Sequence, residues 1–122
     1  MLRLLEWNIN QRNWKNANIP DFVAGEIIKP RSDASPDVVA LTEFARGIGW
    51  DNFQAVLKGN GYTLFYNPNT NEKGVLLAIK DSKYLKVVSE ASVEMGSDPS
   101  LCPHFLQLTV EYAEVPLTII CT

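Results

Sequence analysis

The sequence predicts an α/β fold with a mixed, mainly antiparallel sheet, and two observations carry that expectation. Two short apolar runs, Leu2 to Asn8 and Asp37 to Leu41, flank a segment of helical spacing. From Tyr62 onward the pattern changes to five strand-like runs separated by turn chemistry. With 122 residues, 46% of them hydrophobic and 20% charged, the chain has the size and composition of one globular domain spanning 1–122.

The first strand, Leu2 to Asn8, begins almost at Met1, which suggests a natural start. Gln11 to Asn18 is polar and reads as a loop. Pro20 fits the first turn of a helix, along which Phe22, Val23, Ile27 and Ile28 recur near helical spacing until Pro30 ends it. Arg31 to Ser35 is a turn, Asp37 to Leu41 a strand, and Phe44 to Gly49 a loop. A second helix carries Trp50, Phe53, Val56 and Leu57 on one face and closes at Gly59 and Gly61.

The strands that follow are Tyr62 to Tyr66, Gly74 to Lys80, Tyr84 to Val93, Phe105 to Tyr112 and Val115 to Thr122, read together as an antiparallel meander. Leu106, Leu108, Val110 and Tyr112 alternate with Gln107, Thr109 and Glu111, so that sheet should keep one wet face. The last run, Leu117 to Thr122, is apolar on both faces and calls for a covering element that the sequence does not contain. The expectation is a truncated domain.

A net charge of −3 excludes a protein that holds nucleic acid through a broad basic face alone. A metal-bridged phosphate site stays open. Cys102 and Cys121 match no zinc spacing and read as reduced thiols of a cytoplasmic protein. No run approaches the length of a membrane span, and no secretion signal precedes the first strand.

The chemistry concentrates where two strands end. A strand, crossover helix and parallel strand bring both C-terminal ends to one sheet edge, which places Asn8 and Glu43 together. One carboxylate beside a carboxamide suits Mg²⁺, which keeps several waters and completes its shell with substrate phosphate. Phosphoester hydrolysis is the natural reaction. Each residue also has a plainer role, Asn8 as a turn former and Glu43 as a solvated strand-end charge.

The segments Trp7-Asn8-Ile9-Asn10, Pro36-Asp37-Val38-Val39-Ala40-Leu41-Thr42-Glu43, Gly61-Tyr62 and Lys73-Gly74-Val75-Leu76-Leu77-Ala78 occur in an order that resembles the N-terminal half of the endonuclease/exonuclease/phosphatase superfamily. The resemblance implies the N-terminal half of a four-layered α/β sandwich of the deoxyribonuclease-I type, with helices on the outer face and the site at one edge between two facing sheets. It assigns Asn8 to orienting the phosphate and the metal-site carboxylates, and Glu43 to binding Mg²⁺, with Mn²⁺ as an alternative. Asn10 transfers as a site-lining residue. Arg12, Lys15 and Arg46 lie on the loops after these strands, where a cation could meet a phosphate or simply face solvent.

Two departures accompany the resemblance. Apurinic endonucleases of this kind have Gln before the metal-binding Glu and Thr-Lys after it, whereas Thr42 precedes Glu43 here and Phe44-Ala45-Arg46 follows. That speaks against a base-excision role. The Asp-x-Asn motif and closing Asp-His pair, which would supply the general base and further metal coordination, do not occur in this sequence. His104, the single histidine, stands in Cys102-Pro103-His104 and reads as a loop residue. Trp7 and Trp14 flank the site strand, where they could stack on a base, although the alternation along the strand turns Trp7 toward the core.

The reading is therefore half of a Mg²⁺-dependent phosphodiesterase, a nuclease by preference, acting on nucleic acid or a phosphoester small molecule and negligibly active by itself. The alternative is a non-catalytic half-domain whose open sheet meets a complementing half or a second copy.

Overall fold

The computed structural model describes residues 1–10, 15–16, 18–29, 34–66, 74–92 and 105–122, with the side chains of Ala91 and Ser92 excepted. Among these the order is β1 (Leu4–Asn8), α1 (Asn18–Ile28), β2 (Val38–Phe44), α2 (Trp50–Gly59), β3 (Tyr62–Tyr66), β4 (Gly74–Lys80), β5 (Leu85–Ser92), β6 (Leu106–Tyr112) and β7 (Val115–Cys121). The expected five-stranded meander is corrected. β3 and β4 join the first two strands in a sheet of order β1-β2-β4-β3, and only β5-β6-β7 form the meander. The reason lies in β4, whose residues Gly74 to Ile79 are all buried, a pattern that requires cover on both faces of a central strand.

β2 shows the same pattern and sorts its side chains by alternation. Val39 and Leu41 meet Val23, Ala24 and Ile27 of α1 and Phe53 and Leu57 of α2 in one core. Val38 and Ala40 point the other way, into a second core with Leu106, Leu108, Val110 and Cys121 of the second sheet. The layers are thus helices, four-stranded sheet and three-stranded sheet. In β6 the alternation runs as expected, with Leu106, Leu108 and Val110 buried and Glu111 exposed.

α1 buries Pro20, Val23, Ala24 and Ile27, a clean helical stripe. Phe22, expected on that stripe, is instead 53% exposed because it stands one position off the buried row. Asn16 accepts from the Asn18 amide through Oδ1 at 3.0 Å, which satisfies a donor at the helix start. Asn52 in the first turn of α2 donates to Asp21 in the first turn of α1 at 3.0 Å, tying the two helix starts together.

Tyr62 joins the sheet to the turn before β2: its hydroxyl donates to the Pro36 carbonyl at 2.6 Å inside the protein. Burial, reinforced by the charge of Asp37 and opposed by the Ser35 hydroxyl, pushes the phenol from 10.0 up to about 12. The folded state therefore holds this proton more tightly than the unfolded one, and the resulting stability is complete below pH 10 and lost as pH rises toward 12. Cys121, raised from 9.0 to about 11 by burial and the nearby Glu6, acts in the same direction at lower pH. Tyr62→Phe should flatten the upper part of this alkaline decline, read as unfolding midpoint against pH. An unchanged profile above pH 10 would refute the assignment to Tyr62.

Candidate functional site

β1 and β2 pair in parallel with Asn8 opposite Thr42, so the expected convergence of Asn8 and Glu43 at one edge is present. Adjacent strands stand about 4.8 Å apart, which puts the two residues in neighbouring positions. The ladder continues one step past β1, where the Ile9 amide donates to the Thr42 carbonyl at 2.9 Å. Ile9 is buried in the helix-side core, fixing the chain between Asn8 and Asn10.

Asn8 makes the turn that ends β1. Its Oδ1 accepts from the Asn10 amide at 2.8 Å, and Asn10 adopts the left-handed region at φ 54°, which Asn tolerates better than most residues. The turn-former role is real. It leaves the two Nδ2 hydrogens as the donors of that carboxamide.

At Glu43 the strand departs from regularity. β2 extends through Thr42, Glu43 and Phe44, three residues beyond the expected end, and its pairing with β4 shifts register between Leu41 and Phe44. Strict alternation after Val39 and Leu41 would send residue 43 into the helix-side core. Phe44 takes that place instead, buried beside Trp50 and Phe53, while Glu43 is half-buried with φ 50°. A bulge at a strand end re-aims one side chain, and here the re-aimed group is the carboxylate.

Arg46, half-buried two residues past the end of β2, lies with its guanidinium 5.1 Å from the centre of the Tyr66 ring. Tyr66 in turn meets Trp50 edge-on at 5.0 Å. Tyr66 belongs to none of the motifs that point to this chemistry. Its signal was available, since the C-terminal end of β3 must share an edge with the start of β4 and the end of β2 once β3 pairs with β4. Both helices also start at this edge, directing the positive ends of their dipoles toward it.

Trp7 is half-buried against the helix-side core and meets Phe22 edge-on at 6.1 Å, as the alternation implied. Lys15 is exposed after β1. Arg12, Trp14, Cys102 and His104 lie outside the described residues. Cys121 is a buried free thiol.

Among the described residues no group of three His, Cys, Asp or Glu side chains could enclose a metal. Glu43 and Asn8 offer one carboxylate and one carboxamide, a partial oxygen shell that fits a hard cation still carrying water and phosphate ligands. No described helix is long and apolar enough to cross a membrane.

No protein-family model and no curated protein matches the sequence. Solved structures do match the fold. TDP2 of D. rerio in complex with single strand DNA product superposes with a TM-score of 0.68 at 15% identity, covering 98% of this chain and 44% of that one. The human Nocturnin catalytic domain with bound sulfate anion gives 0.63 at 20% identity, with 98% and 48% covered. ANGEL2, a 2',3'-cyclic phosphatase, gives 0.64 at 17% identity, with 98% and 39% covered. All three belong to the endonuclease/exonuclease/phosphatase superfamily, and the chain spans less than half the length of each. With its two facing sheets, outer helices and near-complete superposition, the chain has the fold of the endonuclease/exonuclease/phosphatase superfamily, represented in part.

Proposed function

We propose that this chain carries the metal-binding and phosphate-orienting portion of a Mg²⁺-dependent phosphodiesterase of that superfamily, a nuclease by preference, working in the cytoplasm. The observation that carries the reading is the bulge at Glu43, which holds a carboxylate in left-handed backbone next to Asn8 at the shared edge. Such strain is retained where a side chain must point somewhere that regular structure would not send it. TDP2 bound to a DNA product and ANGEL2 as a cyclic phosphatase, on the same fold, agree with a phosphoester substrate.

In this reading Glu43 holds Mg²⁺, or Mn²⁺ in its place, with Asn8 beside it. When bound, the cation supplies charge neutralisation at phosphorus and a water of lowered pKa. Asn8 donates from Nδ2 to a phosphate oxygen while its Oδ1 keeps the turn. Arg46, held over Tyr66, and Asn10 line the substrate side, with Arg12 expected to join them. Among the described residues no group for proton transfer is assembled at this edge, so turnover by this chain alone should be negligible.

Asn8→Asp separates the two roles of that residue. It preserves the turn acceptor, so stability should change by no more than about 0.5 kcal/mol. It removes the amide donors and adds negative charge, so inorganic phosphate at saturating Mg²⁺ should bind about tenfold more weakly. Calorimetric titration reads the difference, and unchanged phosphate affinity would leave Asn8 as a turn former only.

A second reading has its own observation. β1 and β7 are both edge strands, and β7 lies across β2, so the two free edges open toward the same side. Leu4, Val115 and Ile120 are 65%, 57% and 58% exposed there or on the adjoining outer face. A complementing half or a second copy would cover them. Light scattering should show mass rising with concentration and Ile120→Lys reversing the rise. A monomer at every concentration would count against self-association.

A further inference from the structure

At the sheet end opposite Asn8 and Glu43 a groove of about 430 Å³ opens between the start of β5 and the hairpin turn that joins β6 to β7. Val38, at the start of β2, pairs with Ile79 near the end of β4, and the link Asp81 to Tyr84 leads from there into β5, so the groove stands away from the phosphate edge. Lys83, Tyr84 and Lys86 form one wall, and Glu111, Ala113 and Glu114 form the other. We infer that this groove is a second binding site, built for a small zwitterion of the α-amino-acid type. Tyr84 and the two glutamates hold its ammonium group, and the two lysines hold its carboxylate.

Three features support such a ligand. The walls carry opposite charge, two lysines facing two glutamates, with Lys86 directly opposite Glu111 in the ladder. A simple anion would meet both carboxylates and a simple cation both ammonium groups, so the complement is a molecule that bears both signs close together. The Tyr84 ring is 56% exposed, yet its backbone is fixed. The Tyr84 amide donates to Ser82 Oγ at 3.1 Å, its carbonyl accepts from the Ala113 amide at 2.8 Å, and Leu85 beside it is buried. Lys83 places Nζ 4.9 Å from the ring centre, so this face accepts an ammonium group. A ligand ammonium in the same position releases Lys83 toward the ligand carboxylate.

The turn supplies the third feature. Tyr112 pairs with Val115, which leaves Ala113 and Glu114 as a two-residue link, both in left-handed backbone at φ 49° and 69°. Asn-Gly makes such a link with far less strain. The side chains kept at both positions against that preference line the groove, Glu114 as a charge and Ala113 as an apolar patch for a small aliphatic side chain.

The test titrates the whole chain with L-leucine, isoamylamine and isocaproate, which share one aliphatic group and carry both charges, the ammonium alone and the carboxylate alone. NMR shifts locate the binding. Leucine should bind at least about tenfold tighter than either relative, the factor expected for losing one charged partner, and should shift the resonances of Tyr84, Lys86, Ala113 and Glu114. Glu114→Gln should weaken leucine and isoamylamine and leave isocaproate unchanged, whereas Lys86→Gln should weaken leucine and isocaproate and leave isoamylamine unchanged. Tyr84→Phe should retain leucine binding and Tyr84→Leu should reduce it. Thermal midpoints on the same samples check that these exposed changes leave the fold intact. Glu43→Gln should not alter leucine affinity, because the groove shares no residue with the phosphate edge. Absence of saturable leucine binding, equal affinity for the three probes, isoamylamine as tight as leucine, or shifts confined to residues outside the groove overturns the zwitterion site.

Discussion

Glu43→Gln is expected to lower Mg²⁺ and Mn²⁺ affinity by at least about tenfold while leaving the fold intact, because it neutralises the single carboxylate in the proposed shell. A companion substitution uses the backbone. Glu43 sits at φ 50°, a conformation that costs an L-residue about 1 kcal/mol and a glycine almost nothing. Glu43→Gly also enlarges the conformational freedom of the unfolded chain, which offsets part of that relief. Its stability should therefore stay level or rise by up to about 1 kcal/mol, with metal binding lost. Denaturant midpoints and metal titration give both quantities on the same samples. A loss of more than about 1 kcal/mol would mark Glu43 as structural, and unchanged metal affinity in Glu43→Gln would remove it from the site.

Phe53→Ala should have the largest effect on stability. Phe53 is fully buried, 5.1 Å from the Phe44 ring and 6.0 Å from Trp50, and it closes the core beneath the bulge together with Leu57 and Leu41. Removing a buried ring costs about 3 to 5 kcal/mol through lost transfer energy and the cavity left behind. Against a typical domain stability of about 5 to 15 kcal/mol, that is a large share. Val88→Ala serves as the control, since Val88 is exposed and its truncation should change stability by under about 0.5 kcal/mol. A loss below about 1 kcal/mol in Phe53→Ala would show that the helix-side core does not depend on this aromatic stack. The same variant bears on the site, because Phe44 holds the core position that lets Glu43 turn away.

The two substitutions act on one device from opposite sides. Phe44, gripped by Phe53 and Trp50, pulls the strand inward after Leu41, and the extra residue in the register leaves Glu43 outside the alternation. Packing energy on the helix side thus sustains local strain at the edge.

Much of this arrangement is written in local pattern. Tyr62 to Tyr66 and Gly74 to Lys80 form strands with the bounds that their apolar runs and flanking turns predict, and Leu106 to Tyr112 alternates as read. The helices stand where apolar residues recur at helical spacing, and the parallel pairing of β1 with β2 follows from a crossover of one helix. Hence Asn8 and Glu43 could be placed at one edge from sequence alone, because strand direction and crossover handedness depend on short-range sterics.

The remaining features depend on partners distant in the chain. That β4 inserts between β2 and β3, leaving β5 to β7 as a sheet of their own, is decided by which faces find apolar cover, and local periodicity does not name the partner. Whether Phe22 faces inward is set by the exact rotation of α1 on the sheet, which buried Pro20, Val23, Ala24 and Ile27 determine together. The bulge at Glu43 has no signature in Leu41-Thr42-Glu43-Phe44, since it arises from competition between strand register with β4 and the aromatic pocket made by α2. Local pattern is enough for the element types, the shared edge and the pair of polar residues delivered to it. How Glu43 is aimed depends on the assembled fold, because a side chain's direction at a bulge is a compromise among contacts that are remote in sequence and simultaneous only in the folded state.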